Sequence, residues 1–336
     1  TVSLTLSPWR AAADHPAPGA LAAGQAMRIL TGAEVPAGAD TVVLQEEAEV
    51  FADHLAFRPP RKRGANVRRA GEDAEAGAVL LGAGRRLVPQ DLARLAVAGV
   101  ASVEVRAPLR VGVLSTGDEL IQPGADPAAP GIFDANRPML LALVARLGHR
   151  PVDLGCAPDS ADAVRAALDR GAEGADVILA TGGASSGDED HVSRLLVNEG
   201  TLATWRIAVK PGRPLALGRW RGRPLFGLPG NPVAAFVCAL IFARPALEVM
   251  AGGHWTAPAG YDLPAAFAMS KRPGRREFLR ARIAADGRVE RFHSEGSGLV
   301  GGLSWSVGLV ELADGARQIA EGDRVRFIPY AGLGLA

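Results

Sequence analysis

A chain of 336 residues, 48 % of them apolar, is long enough for two or three domains with real cores. Its 37 Lys and Arg nearly balance 36 Asp and Glu, and a formal charge of +1 supplies no field that would draw it to nucleic acid or an anionic membrane. No run approaches the ~18 apolar residues of a spanning helix, and no signal-peptide pattern is visible. The two cysteines, Cys156 and Cys238, fit no metal spacing and read as buried free thiols, so a soluble, cytoplasmic protein is expected. The chain opens at Thr1 rather than Met, which points to a further N-terminal piece.

With 41 Gly and 24 Pro, many turns and short strands are expected. Residues 1–71 read as a β domain, with strand candidates at Met27 to Leu30 and Asp40 to Leu44 separated by Thr-Gly and Pro-x-Gly turns. A basic stretch, Arg61 to Arg69, runs into Gly71-Glu72-Asp73. Residues 72–108 form a helical linker, with Pro89 opening a helix that reaches Ala98 and Gly99 stopping it.

Residues 109–254 change character. Strands at 111–114, 152–154, 177–180, 207–209, 215–217 and 225–228 are interleaved with helices at 137–147, at 191–198 and at 232–243, the last with Pro232 in its first turn. A further helix, capped by Asp159 or Ser160, runs to Arg170. Such alternation argues for an α/β domain with a parallel or mixed sheet and helices on both faces. Residues 255–336 return to short strands, at 278–283, 289–292, 309–312 and 325–328, with Asp286-Gly287 as a hairpin turn; a small β-barrel fits best.

Chemistry gathers where two apolar runs stop at Thr-Gly pairs followed by acids. Val111 to Leu114 leads into Ser115-Thr116-Gly117-Asp118-Glu119, and Val177 to Ala180 leads into Thr181-Gly182-Gly183-Ala184-Ser185-Ser186-Gly187-Asp188-Glu189-Asp190. A buried parallel strand that opens onto glycines and acids reads as the wall of a ligand crevice. Glycine lets backbone N–H groups approach an anion, and clustered carboxylates suit Mg²⁺. The first junction reads equally as a capped turn before a helix. The second is costly without a ligand, because ordering glycines loses entropy and its acids repel.

Three further segments bear charge or free N–H groups. Lys210-Pro211-Gly212-Arg213-Pro214 is a turn stiffened by two prolines whose two cations read either as an oxyanion site or as solvated surface charges. Arg206, four residues earlier, falls on the same strand face as Lys210. Pro229-Gly230-Asn231-Pro232 opens an apolar helix whose N-terminus is an anion site. By residue logic alone, Asp159 and the Asp134-x-Asn136 pair read as helix N-caps and Gly71-Glu72-Asp73 as a charged linker. The Thr-Gly-Gly loop does not match the P-loop pattern.

Read together, these motifs resemble the molybdopterin molybdenumtransferases: bacterial MoeA proteins, the gephyrin E domain and their plant equivalents. The resemblance runs in order through Arg28 to Ala33, Pro36-x-Gly38-Ala39-Asp40 and Gln45-Glu46, then Asn66-x-Arg68-x-x-Gly71-Glu72-Asp73 and Ser115 to Leu120. It continues with Asp134-x-Asn136-Arg137, the Thr-Gly-Gly loop, Lys210 to Pro214 and Gly227 to Pro232. It implies a central molybdopterin-binding α/β domain flanked by an N-terminal β domain and a C-terminal barrel. The implied activity is Mg²⁺-dependent insertion of molybdate into adenylylated molybdopterin with release of AMP.

The resemblance also implies a homodimer, held partly through the linker, with an active site shared between subunits. Asp73 would be contributed across the dimer, while Glu119, Asp159 and Asp190 act from the central domain. Asp188, Asp190 and Glu119 would serve the metal. Lys210, Arg206, Arg213 and Ser185 would hold molybdate or phosphate, and Thr116, Gly117, Asp118, Gly182, Gly183, Pro229, Gly230, Asn231 and Pro232 would line the substrate. A molybdopterin adenylyltransferase upstream and molybdoenzymes receiving the cofactor downstream are the implied partners. Family members usually carry an Asp-Gly-Tyr-Ala segment ahead of the β domain; none precedes Thr1, and its loss would remove an active-site segment and dimer contacts. Two other readings compete. One is an adenylyltransferase-like enzyme, which the flanking β domains disfavour; the other is a pterin-binding scaffold of the gephyrin kind.

Overall fold

The computed structural model describes residues 1–59, 62–126, 130–182, 190–205 and 207–335. The chain forms two compact units, Thr1–Leu81 with Gln90–Val100, and Gly82–Pro89 with Ala101–Ala336.

In the first unit, β1 (Val2–Ala11), β2 (Gln25–Ile29), β3 (Ala48–Val50) and β4 (His54–Phe57) make one sheet in the order β2-β1-β4-β3, with β1 parallel to β2 and the other pairs antiparallel. Helix α1 (Pro89–Val97) ends before Gly99, whose φ is +76°. The strand expected at Asp40 to Leu44 does not form. The Val42 N–H donates to the Ala65 carbonyl at 3.0 Å and its own carbonyl accepts from Asn66 Nδ2 at 2.8 Å, so this extended piece is strapped to a loop and has no ladder partner.

The second unit holds the α/β domain. Its strands are β5 (Arg110–Thr116), β6 (Leu120–Ile121), β7 (Ile132–Phe133), β8 (Arg150–Ala157), β9 (Val177–Thr181), β10 (Thr201–Trp205), β11 (Val209–Lys210), β12 (Ala216–Trp220) and β13 (Arg223–Leu228). Its helices are α2 (Asn136–Arg146), α3 (Ala161–Gly174), α4 (His191–Asn198) and α5 (Pro232–Cys238). The main sheet runs β10-β12-β13-β9-β5-β8, and β13, β9, β5 and β8 are parallel neighbours. A two-residue turn, Arg221-Gly222 with φ of +46° and +81°, reverses the chain between β12 and β13.

Adjacent residues of the central strands enter opposite cores. Val111, Val113, Val177, Leu179 and Leu228 pack with α2 and α5, while Leu114, Ile178, Ala180 and Leu225 pack with α3 and α4. All five residues of β9 are buried, which is why it reads as an unbroken apolar run. No helix follows the first Thr-Gly junction: Glu119 and Ile121 instead accept from the N–H groups of Ile132 (2.7 Å) and Asp134 (2.9 Å), building the small β6–β7 ribbon.

The helix expected to stop at 243 continues. A π-helical turn, Ala239–Ala243, joins α5 to α6 (Arg244–Met250). Pro245 lacks an N–H and crowds the preceding turn; the wider π register absorbs both effects. The resulting 19-residue helix, Pro232–Met250, is long and apolar enough by composition to cross a membrane, contrary to the run-length reading of the sequence. Its buried face, including Val237, Leu240 and Leu247, packs into the same core as β5 and β9, as a core helix does.

The C-terminal strands β14 (Tyr261–Pro264), β16 (Arg276–Ile283), β17 (Val289–Arg291), β18 (Gly308–Leu312) and β20 (Arg324–Pro329) pair in the order β17-β16-β18-β20-β14. The ring closes where Ala265, just past β14, bridges Val289 of β17. A separate ribbon joins β15 (Met269–Lys271) to β19 (Arg317–Ile319), and α7 (Gly301–Trp305) precedes β18. Strand β11 adds to this ring in parallel with β16, pairing Lys210 with Glu277. Phe278, Leu309 and Ile328 turn toward the α/β core, while Leu279, Val310 and Phe327 fill the barrel.

Because β9 is covered on both faces, Ile178→Ala and Leu179→Ala should each cost about 2–5 kcal/mol in urea unfolding. A neutral result for either would show that one face of this strand is not sealed.

Candidate functional site

The carboxyl ends of the parallel strands meet at one edge of the sheet. Register pairs Ser115 with Thr181, Thr181 with Leu228, and Thr116 with Ala157, so both Thr-Gly junctions and the Pro229–Pro232 corner lie side by side. Gly182 has φ +87°, and a Cβ there would collide with the Thr116 carbonyl and sit 2.8 Å from Thr116 Oγ1. Gly230 approaches from the other side, its ideal Cβ position 3.7 Å from Gly182 Cα. Gly117, at φ +146°, would drive a Cβ into the Glu119 carboxylate. Close approach to main chain requires glycine at Gly182; at Gly230 a Cβ would make an ordinary contact, and at Gly117 the positive φ is what favours glycine.

A side chain read only as part of a cap locks this edge. Asn136 Nδ2 donates to Thr181 Oγ1 at 2.8 Å and to the Gly230 carbonyl at 2.6 Å, while Thr181 Oγ1 donates to the Pro229 carbonyl at 3.1 Å. Asp134, 1 % exposed, orients the helix that carries Asn136. Its Oδ1 accepts from the N–H groups of Asn136 and Arg137, both at 3.1 Å, and Arg137 closes the pair at 3.3 Å before reaching Asp153 at 2.5 Å. Asn136 Oδ1, Thr116 Oγ1, Ser115 Oγ and Asn231 Oδ1 are buried without a hydrogen-bond partner. Polar atoms left so cost roughly 1–3 kcal/mol each, and these four gather at the strand-end edge.

The acids are anchored by backbone donors. The Asp118 N–H donates to Asp159 Oδ2 and the Asp159 N–H to Asp118 Oδ1, each at 3.1 Å. His191 Nε2 donates to the Asp159 carbonyl at 3.1 Å. The cap of α3 is Ser160, whose Oγ accepts from Ala163 N at 3.2 Å. Asp159 is thereby freed from the N-cap role that residue logic favours, and faces Asp118. Asp190 caps α4, its Oδ1 accepting from Ser193 N at 2.9 Å, while its Oδ2 is buried and unpartnered. Burial pushes its carboxyl above the ordinary range. Glu119 is exposed beside Gly117. Among the described residues no group of three or more His, Cys, Asp and Glu is placed to hold a metal ion.

The cations depart from expectation. Lys210 is ion-paired, with Nζ 2.6 Å from Glu295 Oε2 and 3.5 Å from Glu277 Oε2. Arg213 is exposed. The N-terminus of α5 is partly engaged, because the Val233 N–H donates to the Ser297 carbonyl at 3.3 Å and Asn231 makes no side-chain cap. The loop responsible is gripped by Arg280, 5 % exposed, which donates to the carbonyls of Leu299 (2.7 Å), Ser294 (2.7 Å) and Gly296 (3.0 Å) with its guanidinium over the Phe292 ring. Glu277, Arg280 and Glu295 went unread as site residues. The usable signal was a charge inside the apolar run Phe278-Leu279-Arg280-Ala281, followed by the Gly- and Ser-rich 294–298 segment.

The structure thus brings Thr116, Gly117, Asp118, Asp159, Gly182, Gly230 and Asn231 to one strand-end edge, and sets Lys210 under the barrel loop. Asp73 is exposed in the first unit. Gly183, Ser185, Asp188 and Arg206 lie outside the described residues.

Residues 112–249 match the family model described as "Probable molybdopterin binding domain", residues 3–99 the "MoeA N-terminal region (domain I and II)" and residues 262–330 the "MoeA C-terminal region (domain IV)". The molybdopterin molybdenumtransferase of Haemophilus influenzae is 34 % identical over 314 residues, spanning 92 % of this chain and 78 % of that protein. Molybdopterin molybdenumtransferase 2 of Mycobacterium tuberculosis is 33 % identical over 309 residues, spanning 90 % and 76 %. Among solved structures, the molybdopterin biosynthesis MoeA protein of Pyrococcus horikoshii superposes with a TM-score of 0.83 at 27 % identity, over 98 % of this chain and 81 % of that one.

The raised Asp190 carboxyl gives a signed prediction. Its folded pKa lies above its unfolded value, so this group's stability contribution is full below the unfolded pKa, ~3.9, and falls as pH rises through the folded pKa. At neutral pH the charged form is a net cost. Asp190→Asn, which keeps a good N-cap, should therefore leave the melting temperature of the metal-free protein at pH 7 unchanged or higher. A clear drop would show that the buried charge has a stabilising partner.

Proposed function

The chain belongs to the MoeA family of molybdopterin molybdenumtransferases, and on that premise we propose that it inserts molybdate into adenylylated molybdopterin with release of AMP, in a Mg²⁺-dependent step of molybdenum cofactor biosynthesis. The observation that carries the reading is the continuity of the family match across 92 % of the chain, including both regions that flank the molybdopterin-binding domain. A stand-alone adenylyltransferase would have no use for those flanks.

Both substrates are anions, and the site supplies the matching groups. The strand-end edge where the two Thr-Gly junctions lie side by side is assigned to the phosphate bridge, with glycines that let backbone N–H groups approach an anion. Lys210 offers the oxyanion a charge-assisted hydrogen bond, and Arg213, Arg206 and Ser185 are assigned with it. Mg²⁺ is commonly held by one or two carboxylates together with substrate phosphates, so the donor chemistry of Asp190, Asp188 and Glu119 fits without a complete protein cage. When bound, the ion neutralises phosphate charge and polarises the bond that breaks. Asp190 is assigned, with Asp188, to positioning the metal and a water beside the phosphate bridge. Asp118 and Asp159, tied to each other's backbone, fix the opposite rim of the crevice.

We assign the working form as a cytoplasmic homodimer in which a second copy of the chain supplies Asp73. A molybdopterin adenylyltransferase would supply the substrate, and molybdoenzymes would receive the product. The near-neutral charge fits neither a nucleic-acid nor a membrane partner.

The test is to supply adenylylated molybdopterin, molybdate and Mg²⁺ to the full chain and follow AMP release with cofactor formation. Absence of AMP above background from folded protein would sink the proposal, and adenylylation of free molybdopterin by MgATP would replace it. Lys210→Gln should raise the KM for molybdate by about tenfold or more, the loss of one charge-assisted contact, and should lower the melting temperature, because buried Glu277 loses its ion-pair partner. Asp190→Asn should cut turnover far more than it changes the melting temperature; equal loss of both would make Asp190 structural.

A further inference from the structure

Lys210 is flanked by two carboxylates of different character. Glu277 is its register partner on β16, 5 % exposed, and its position is set by the strand. Glu295 lies on the loop beyond β17, is half-exposed, and comes closer, at 2.6 Å against 3.5 Å. One ammonium therefore faces two anions, and the nearer one stands where an incoming oxyanion would have to sit. The loop backbone is immobilised, because Arg280 holds the carbonyls of Ser294, Gly296 and Leu299. The Glu295 carboxylate bridges two cations at once: Oε2 meets Lys210, and Oε1 lies 3.7 Å from Arg291 Nη1, a partner it would keep on leaving Lys210.

We propose that Glu295 gates the oxyanion subsite: it occupies Lys210 in the free protein and yields by side-chain rotation to Arg291 when a tetrahedral dianion binds. This rests on the assignment of Lys210 to oxyanion binding made above. The backbone need not move, since the carbonyl grip of Arg280 is independent of the Glu295 carboxylate. Glu277 stays in place and limits the positive charge offered. Glu295 thus sets the affinity of the subsite by competition, and its removal strengthens binding where loss of an ordinary ligand contact would weaken it.

The experiment is calorimetric titration of the full chain with sodium molybdate, without pterin, for wild type, Glu295→Gln and Lys210→Gln, each shown to be folded at the titration temperature by its own melting transition. Glu295→Gln should bind molybdate roughly two- to fivefold more tightly than wild type, the size of one screened carboxylate–ammonium contact. Detectable binding by this variant alone, with wild type too weak to measure, is the same result. Unchanged or weaker binding by Glu295→Gln, or no binding by either protein, overturns the gate. If Lys210→Gln binds as well as wild type, the assignment of Lys210 itself fails. If Lys210→Gln weakens binding while Glu295→Gln does not tighten it, only the gate falls and the assignment stands.

Discussion

The contact of the Gly182 backbone with the carbonyl of Thr116 sets the geometry of the crevice. Two parallel strands normally leave side chains between their carboxyl ends; here a Cβ at 182 would overlap main chain. Without it, Thr181 and Gly230 come close enough for one amide group, Asn136 Nδ2, to bond both. Asn136 in turn needs the start of α2 to be delivered to this edge, which Asp134 and Arg137 accomplish through backbone N–H groups and an ion pair. A glycine, an amide and a buried salt bridge thus form one dependency, and the unpartnered polar atoms lie along it because close packing left them no protein partner.

Fold class and most of the α/β elements were legible because burial on both sheet faces writes itself as short apolar runs separated by capped helices. β9 and α4 are the clearest cases: five buried residues in one, and an Asp-capped amphipathic turn pair in the other. The strand proposed at 40–44 was misread because an extended loop strap and an edge strand share the same apolar alternation; only the partner, Ala65, separates them. The helix through 250 was cut short because Arg244-Pro245 looks like a stop, and a π turn that rescues a proline has no compositional mark. Asn136 was visible as a residue but not as a clamp. Its partners are 45 and 94 positions away, and nothing local encodes them.

The same distance problem hid the electrostatics of the cationic turn. Lys210 and Arg213 looked like two free charges on a stiff loop. Glu277, 67 residues on, meets Lys210 because β11 joins β16 in parallel register, a pairing set by tertiary structure alone. The anion site expected at α5 changed for a related reason. A helix N-terminus is attractive to any acceptor, and the Ser297 carbonyl, carried there by the Arg280-held loop, already takes the Val233 N–H.

The site is therefore built in two halves with different anchors. The acidic half stands on parallel strand ends and leans on backbone donors: Asp118 and Asp159 bond each other's N–H, and Asp190 accepts one N–H at the start of α4, too little to offset its burial. The basic half stands on the barrel and satisfies its charge with side-chain carboxylates and backbone carbonyls. No ion pair joins the two halves among the described residues. What holds them in register is apolar: Phe278, Leu309 and Ile328 of the barrel share one core with Val111, Leu179 and Leu228 of the sheet. Salt and pH act strongly on exposed ion pairs and weakly on such a core. The charges can then exchange partners during binding while the spacing between the halves is kept by groups that never titrate.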